Sequence, residues 1–114
     1  MTHPRLSAEY VKNLKTINKG LLVNNIRVDR VFMTRNQDGS NCELIESTTY
    51  MLNFMEFLSV GMRFGDFDEE LVKKTMKSMM LRLYNICEPY ISDSQLTNKS
   101  TLENFTAVCL KWSA

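Results

Sequence analysis

The chain has 114 residues, 44% of them hydrophobic and 24% charged, with only four Gly and two Pro. Those proportions exclude an intrinsically disordered chain and a turn-dense β fold, and the length fits a single helical domain, residues 1–114, around one core. The net charge of +1 hides a segregation: residues 1–35 balance at +5, residues 36–70 at −7 and residues 71–114 at +3.

Ser7 is placed to cap a first helix, in which Tyr10, Leu14, Ile17 and Leu21 form one apolar stripe of period 3.6. Gly20 either ends that helix or lies inside a longer one. The stretch VNNIRVDRVFMTRN fits a strand or a helix; helix is the choice, because a lone strand has no partner elsewhere in the chain. NQDGSN, residues 36–41, reads as a loop around its Asp-Gly turn.

The next helix is expected from about Cys42 to Phe64. Leu44, Thr48, Met51, Met55, Leu58 and Met62 alternate spacings of four and three, and Leu52, Phe54 and Phe57 widen the apolar surface. That marks the central, most buried helix. Gly65 closes it in a left-handed conformation. The following helix starts either from an Asp66–Glu69 capping box or from Asp68 as cap, with Phe67 and Val72 stapled around it. Its stripe runs through Val72, Met76, Met79, Leu83, Ile86 and Tyr90, and Pro89 bends or ends it near Glu88. SDSQLTNKS is read as a polar loop. Ser100 with Glu103 is a second capping box, opening a last helix with Leu102, Phe105, Cys109 and Trp112 on one face. The expected fold is all-α: a compact bundle of four to five helices, with a central buried helix at about 42–64 hairpinned to one at about 69–88.

Leu52-Asn53-Phe54, Glu56-Phe57, Gly61, Gly65 and Phe67-Asp68-Glu69-Glu70 resemble the signature of a domain-of-unknown-function family common in phages, prophages and bacteria. The last helix, with Leu102, Phe105 and Trp112, is similar to the ending of that family. The resemblance covers about Tyr50 to Trp112 and implies a helical fold and a phage or prophage origin, without a catalytic residue. Many members carry an N-terminal membrane helix that has no counterpart here, and the family has more aromatic residues where KSMMLRLYNICEPYI stands.

The residues offer little catalytic chemistry. His3 is the only histidine and stands beside the terminus, so neither a nucleophile–His arrangement nor a metal site is expected. The three cysteines, Cys42, Cys87 and Cys109, are widely spaced and are read as reduced, buried small hydrophobes. No phosphate-binding glycine motif occurs, and no cofactor is expected. Glu56, in an apolar helix, is read as satisfying polar groups between helices together with Asn53, or a basic partner such as Arg82. No segment reaches the roughly 18 apolar residues of a membrane span, and MTHPRLSAEY lacks a secretory apolar run, which predicts a cytoplasmic protein in a bacterial host.

The expectation is therefore a non-enzymatic phage or prophage accessory protein that binds a host or phage protein, for example as an inhibitor of a defence or transcription system. A homodimer is a further arrangement. Asp38, Glu43, Glu46 and Glu70 have no evident local task and are the expected partner-binding acids, steering a basic surface toward the chain. The alternative is a small nucleic-acid-binding regulator using the basic N-terminal helix through Lys12, Lys15 and Lys19, with Arg27, Arg30 and Arg35 extending the stripe.

Overall fold

A computed structural model describes residues 8–34 and 42–114 of the chain. Ser7, Arg35 and the Asp-Gly loop with Asp38 lie outside the described residues. The helices in chain order are α1 (Ala8–Ile17), α2 (Arg30–Thr34), α3 (Cys42–Arg63), α4 (Glu69–Thr97) and α5 (Glu103–Ser113). Among the described residues there is no strand.

The apolar stripes assemble one core. Tyr10, Ile17 and Leu21 from the N-terminal helix meet Met51, Met55, Leu58 and Met62 of α3, and Leu83 and Ile86 of α4, with Phe105, Cys109 and Trp112 of α5 closing it. The expected central helix is present, and α1 and α5 both pack on it. Phe57 is a correction: its side chain stays 58% exposed. It lies on the rim of the apolar surface and meets Phe67 edge-on with ring centroids 5.5 Å apart.

Residue 20 lies inside a continuing helix. The last turn widens to a π-helical one, Asn18–Leu22, which ends at a left-handed Asn25, φ 56°. Asn tolerates that conformation because its short amide hydrogen-bonds locally.

The helix expected over residues 21–35 is only partly present: α2 covers Arg30–Thr34, capped by Asp29, whose Oδ1 accepts from Phe32 N–H at 2.8 Å. Residues 26–29 are neither helix nor strand. The argument against an isolated extended segment fails for a physical reason. Val28 N–H donates to Ile86 O at 2.8 Å, and Val28 O accepts from Tyr90 N–H at 3.1 Å. Those two groups of α4 are the pair an uninterrupted helix joins to each other. Pro89 has no N–H and its ring crowds the carbonyl of Asn85, so it loosens the ladder at this turn. The fully buried Val28 therefore pairs with a helix instead of a strand. Two exposed ion pairs, Arg27–Glu88 at 3.6 Å and Arg30–Asp93 at 3.7 Å, flank the insertion and add little energy.

With that strap in place α4 passes Pro89 and runs to Thr97, beyond the expected end near Glu88. SDSQLT is accordingly helical, and only residues 98–102 form the connection to α5. Gln95 Nε2 donates across that connection to Thr101 O at 2.8 Å and to Thr106 Oγ1 at 3.1 Å.

Candidate functional site

The hairpin signature is used by the fold itself. Gly65, at φ +85°, ends α3: Asp66 N–H reaches Gly61 O at 2.7 Å and Gly65 N–H reaches Met62 O at 3.4 Å, a Schellman pair that needs a left-handed residue at Gly65. Gly61 has another reason. A Cβ there would lie 2.1 Å from Phe67 Cδ2, so the ring of Phe67 lies directly on the helix backbone. Of the two caps considered for α4, Asp68 is the one formed, with Oδ1 accepting from Glu70 and Leu71 N–H at 3.0 and 3.4 Å.

Two further acids of the signature, Glu56 and Glu69, hold α5. The second capping box does not form: Leu102 stands at the cap position with φ 51° and makes no side-chain cap. Glu56 replaces it from α3. Its Oε1 accepts from Phe105 N–H at 2.8 Å, and its Oε2 accepts from the Asn104 side-chain amide at 2.8 Å and from Asn104 N–H at 3.4 Å. A carboxylate there satisfies orphan N–H groups and sits at the positive end of the helix dipole. Arg63 donates to Asn104 Oδ1 at 2.8 Å, and Arg82, the other partner considered for Glu56, instead donates to Leu22 O. At the far end of α5, Glu69 accepts from Trp112 Nε1 at 3.0 Å and pairs with Lys111 at 3.0 Å. The indole bond first, then Lys111, holds its carboxyl below the ordinary carboxylate range. Burial pushes the thiols of Cys87 and Cys109 up to about 12, so both are inert small hydrophobes.

The expected partner-binding acids are not brought together. Glu43 and Glu46 stand exposed on the first turns of α3, and Glu70 stands exposed on the first turn of α4, beyond the other end of α3. From Glu46 to Arg63 the helix alone rises about 25 Å. Glu43 borders a shallow depression with Lys12 and Lys15. Lys12, Lys15 and Lys19 are exposed along α1 and its π turn and make no ion pair among the described residues. Arg27 and Arg30 are turned to α4 acids instead of extending that stripe.

A trough of about 860 Å³ lies between α1 with its π turn and the first half of α4. Tyr10, Leu14 and Leu22 line one wall, and Leu71, Met76 and Met79 the other. Arg82 meets Leu22 at one end of the trough. At the other, Tyr10 leads through Phe54 and Phe57 to Phe67, with successive ring centroids 4.7, 6.4 and 5.5 Å apart. α1 packs on α3, whereas α4 packs beside α5, α2 and the π turn, so the facing sides of α1 and α4 are only partly covered. Leu71 is 44% exposed there. Burial, with Tyr50 nearby, raises the pKa of Tyr10, keeping its phenol neutral. The volume lies within the roughly 300–1,000 Å³ range of binding sites, and the apolar lining with a few polar groups is their usual chemistry.

The sequence stripe of α4 puts Met76 and Met79 against the core, and both pack on it, partly buried, while also lining the trough. The signal that the stripe passes over is the doubling of apolar residues, Leu71-Val72 and Met79-Met80, which makes the stripe of α4 wider than one core contact uses. Val72 and Met80 are buried, while Leu71 and Met79 face the trough.

Among the described residues no three His, Cys, Asp or Glu side chains stand together as metal ligands, and no helix is long and apolar enough to cross a membrane. A family model described as a domain of unknown function, DUF4760, matches residues 1–112. No curated protein and no solved structure matches the chain.

Proposed function

The chain belongs to the DUF4760 family, a domain of unknown function, and we propose that it is a binding module without chemistry of its own, which takes a segment of another protein into the α1–α4 trough. The observation that carries this reading is the apolar lining of the trough, where Leu71 is exposed and Leu14, Met76 and Met79 are only partly buried against the core. Methionines suit such a surface because their flexible thioethers adapt to a partner's shape. The resemblance of the hairpin signature to phage and prophage proteins supports placing the module among their accessory factors in the bacterial cytoplasm. There it acts as an inhibitor or modulator of a host defence or transcription system.

A second reading rests on Lys12, Lys15 and Lys19, three exposed cations with no ion pair among the described residues, which are the phosphate contacts a small nucleic-acid-binding regulator uses. The two readings separate in one experiment. A tagged copy is passed through bacterial lysate with and without nuclease, beside a Leu71→Asp variant first shown to fold. The module reading expects a retained protein that survives nuclease and is lost on Leu71→Asp. Retention that nuclease abolishes and Leu71→Asp leaves intact overturns it in favour of nucleic acid.

A further inference from the structure

The walls of the trough share a charge pattern that the apolar lining does not explain. Residues 10–22 carry Lys12, Lys15 and Lys19, and residues 71–82 carry Lys73, Lys74, Lys77 and Arg82; neither segment contains an acid. Of these seven cations, Lys15 and Arg82 line the trough, and no carboxylate does. Lys12 and Lys19 stand exposed one turn to either side of Lys15. Glu69 and Glu70 stand at the start of α4, beside the Leu71 end; Glu88 and Asp93 lie beyond Arg82 and pair with Arg27 and Arg30, and Glu43 lies across α1 from the trough. An apolar floor edged by Lys15 and Arg82, with no carboxylate in its lining, is complementary to an apolar stripe edged with carboxylates.

The length of the walls selects the shape of that stripe. From Leu71 to Arg82 α4 rises about 16 Å, and the wall from Tyr10 to Leu22 is of similar length. Three turns of a helix offer anchors at i, i+4, i+7 and i+11 over that same distance, which is the helix-in-groove mode of recognition. Nucleic acid has no apolar side to set on Met76 and Met79.

We infer that the occupant of the trough is an acidic amphipathic helix of a partner protein, about three turns long, with its carboxylates on the edge that faces Lys12, Lys15 and Lys19. This rests on the reading of the trough as a protein-binding site and adds the chemistry of the partner. Arg82 is anchored on Leu22 O and marks the basic end, whereas Glu70 neighbours the Leu71 end.

The test is a displayed library of helical peptides of about 16 residues, with Leu fixed at i, i+4, i+7 and i+11 and the remaining positions drawn equally from Glu, Lys, Gln and Ala. The expected result is enrichment of Glu over Lys beside the Leu stripe. Selected peptides then lose at least tenfold in affinity on Leu71→Asp or Met79→Ser, and a lesser amount on Lys15→Glu with Lys19→Glu, which in turn gains affinity for the Lys-bearing peptides. Selected peptides that show no charge preference, or a preference for Lys, yet lose affinity on Leu71→Asp overturn the inference and leave the trough as the binding site. No enrichment, or binding that ignores both Leu71→Asp and Met79→Ser, overturns the trough reading as well. Anionic phosphatidylglycerol vesicles and duplex DNA are run as parallel probes. Binding of either with no peptide enriched assigns the basic walls to lipid or nucleic acid and also overturns the inference.

Discussion

Removing the carboxylate of Glu56 should loosen α5 from the bundle. The two backbone N–H groups at the start of α5, those of Asn104 and Phe105, bond to Glu56, and so does the Asn104 amide. A hydrogen bond to a charged group contributes about 1.5–3 kcal/mol, and losing a cap costs about 0.5–2 kcal/mol. The site is half-open: a cleft of about 290 Å³ beside Glu56 is bordered by Thr101 and Leu102, so water reaches the vacated donors and lowers the cost. Glu56→Ala should then destabilise by about 2–3 kcal/mol, out of roughly 6–17 kcal/mol for a domain of this size. At about 2.1 cal/mol/K of unfolding entropy per residue, that lowers Tm by roughly 8–12 °C. Glu56→Gln keeps one acceptor oxygen and should cost about half as much. Thermal melts followed by circular dichroism give the stability, and amide exchange at Asn104 and Phe105 reports the cap directly. A loss below about 0.5 kcal/mol, with exchange at those two amides unchanged, would refute the argument.

Gly61→Ala should destabilise by about 1–3 kcal/mol despite the better helix propensity of Ala, because the new methyl meets the Phe67 ring; a stabilised variant in urea melts would show that the ring moves aside freely. Phe105→Ala, at a fully buried ring, should cost about 3–5 kcal/mol, whereas Phe57→Ala should cost about 1 kcal/mol, and equal losses would place Phe57 back in the core. Glu69 has a depressed folded pKa, so its contribution is present above the unfolded value and is lost as pH falls through the folded one. The emission of Trp112, the only tryptophan, should therefore change on the acid side of the ordinary carboxylate range, and Glu69→Gln should remove that step. Cys87 and Cys109 should resist alkylation at pH 8 until the chain unfolds, and fast labelling in the native protein would contradict their burial.

The periodic parts of the sequence carried the architecture. α3 and its stop at Gly65 were legible because apolar spacing and a left-handed glycine are local signals, and the Asp68 cap was one of two local alternatives. What escaped were the features decided by distant partners. Val28 pairs with α4 because Pro89, more than sixty positions away, weakens the α4 ladder, and no local pattern announces a backbone pairing between a strap and a helix. Ser100 and Glu103 have the spacing of a capping box, yet the cap is Glu56 from another helix, whose carboxylate reaches the same N–H groups. Phe57 has the hydrophobicity of a core residue but points off the edge of the stripe. The trough itself arises because α1 and α4 pack mainly on other elements, a tertiary property. Its traces in the sequence were the paired apolar residues of α4 and two basic segments free of acids. The acids Glu43, Glu46 and Glu70 stood out by composition, but the length of α3 separates the first two from the third.

The central claim is that the trough is where a partner binds, and methyl NMR on protein labelled at its methionines tests it most directly. Met76 and Met79 line the trough, while Met51 and Met55 are fully buried in the core and serve as internal references. Titration with a partner captured from lysate, or with a peptide selected from the library, should shift the Met76 and Met79 methyls saturably and leave those of Met51 and Met55 in place. A partner that binds with full affinity while Met76 and Met79 stay unmoved would contradict the account.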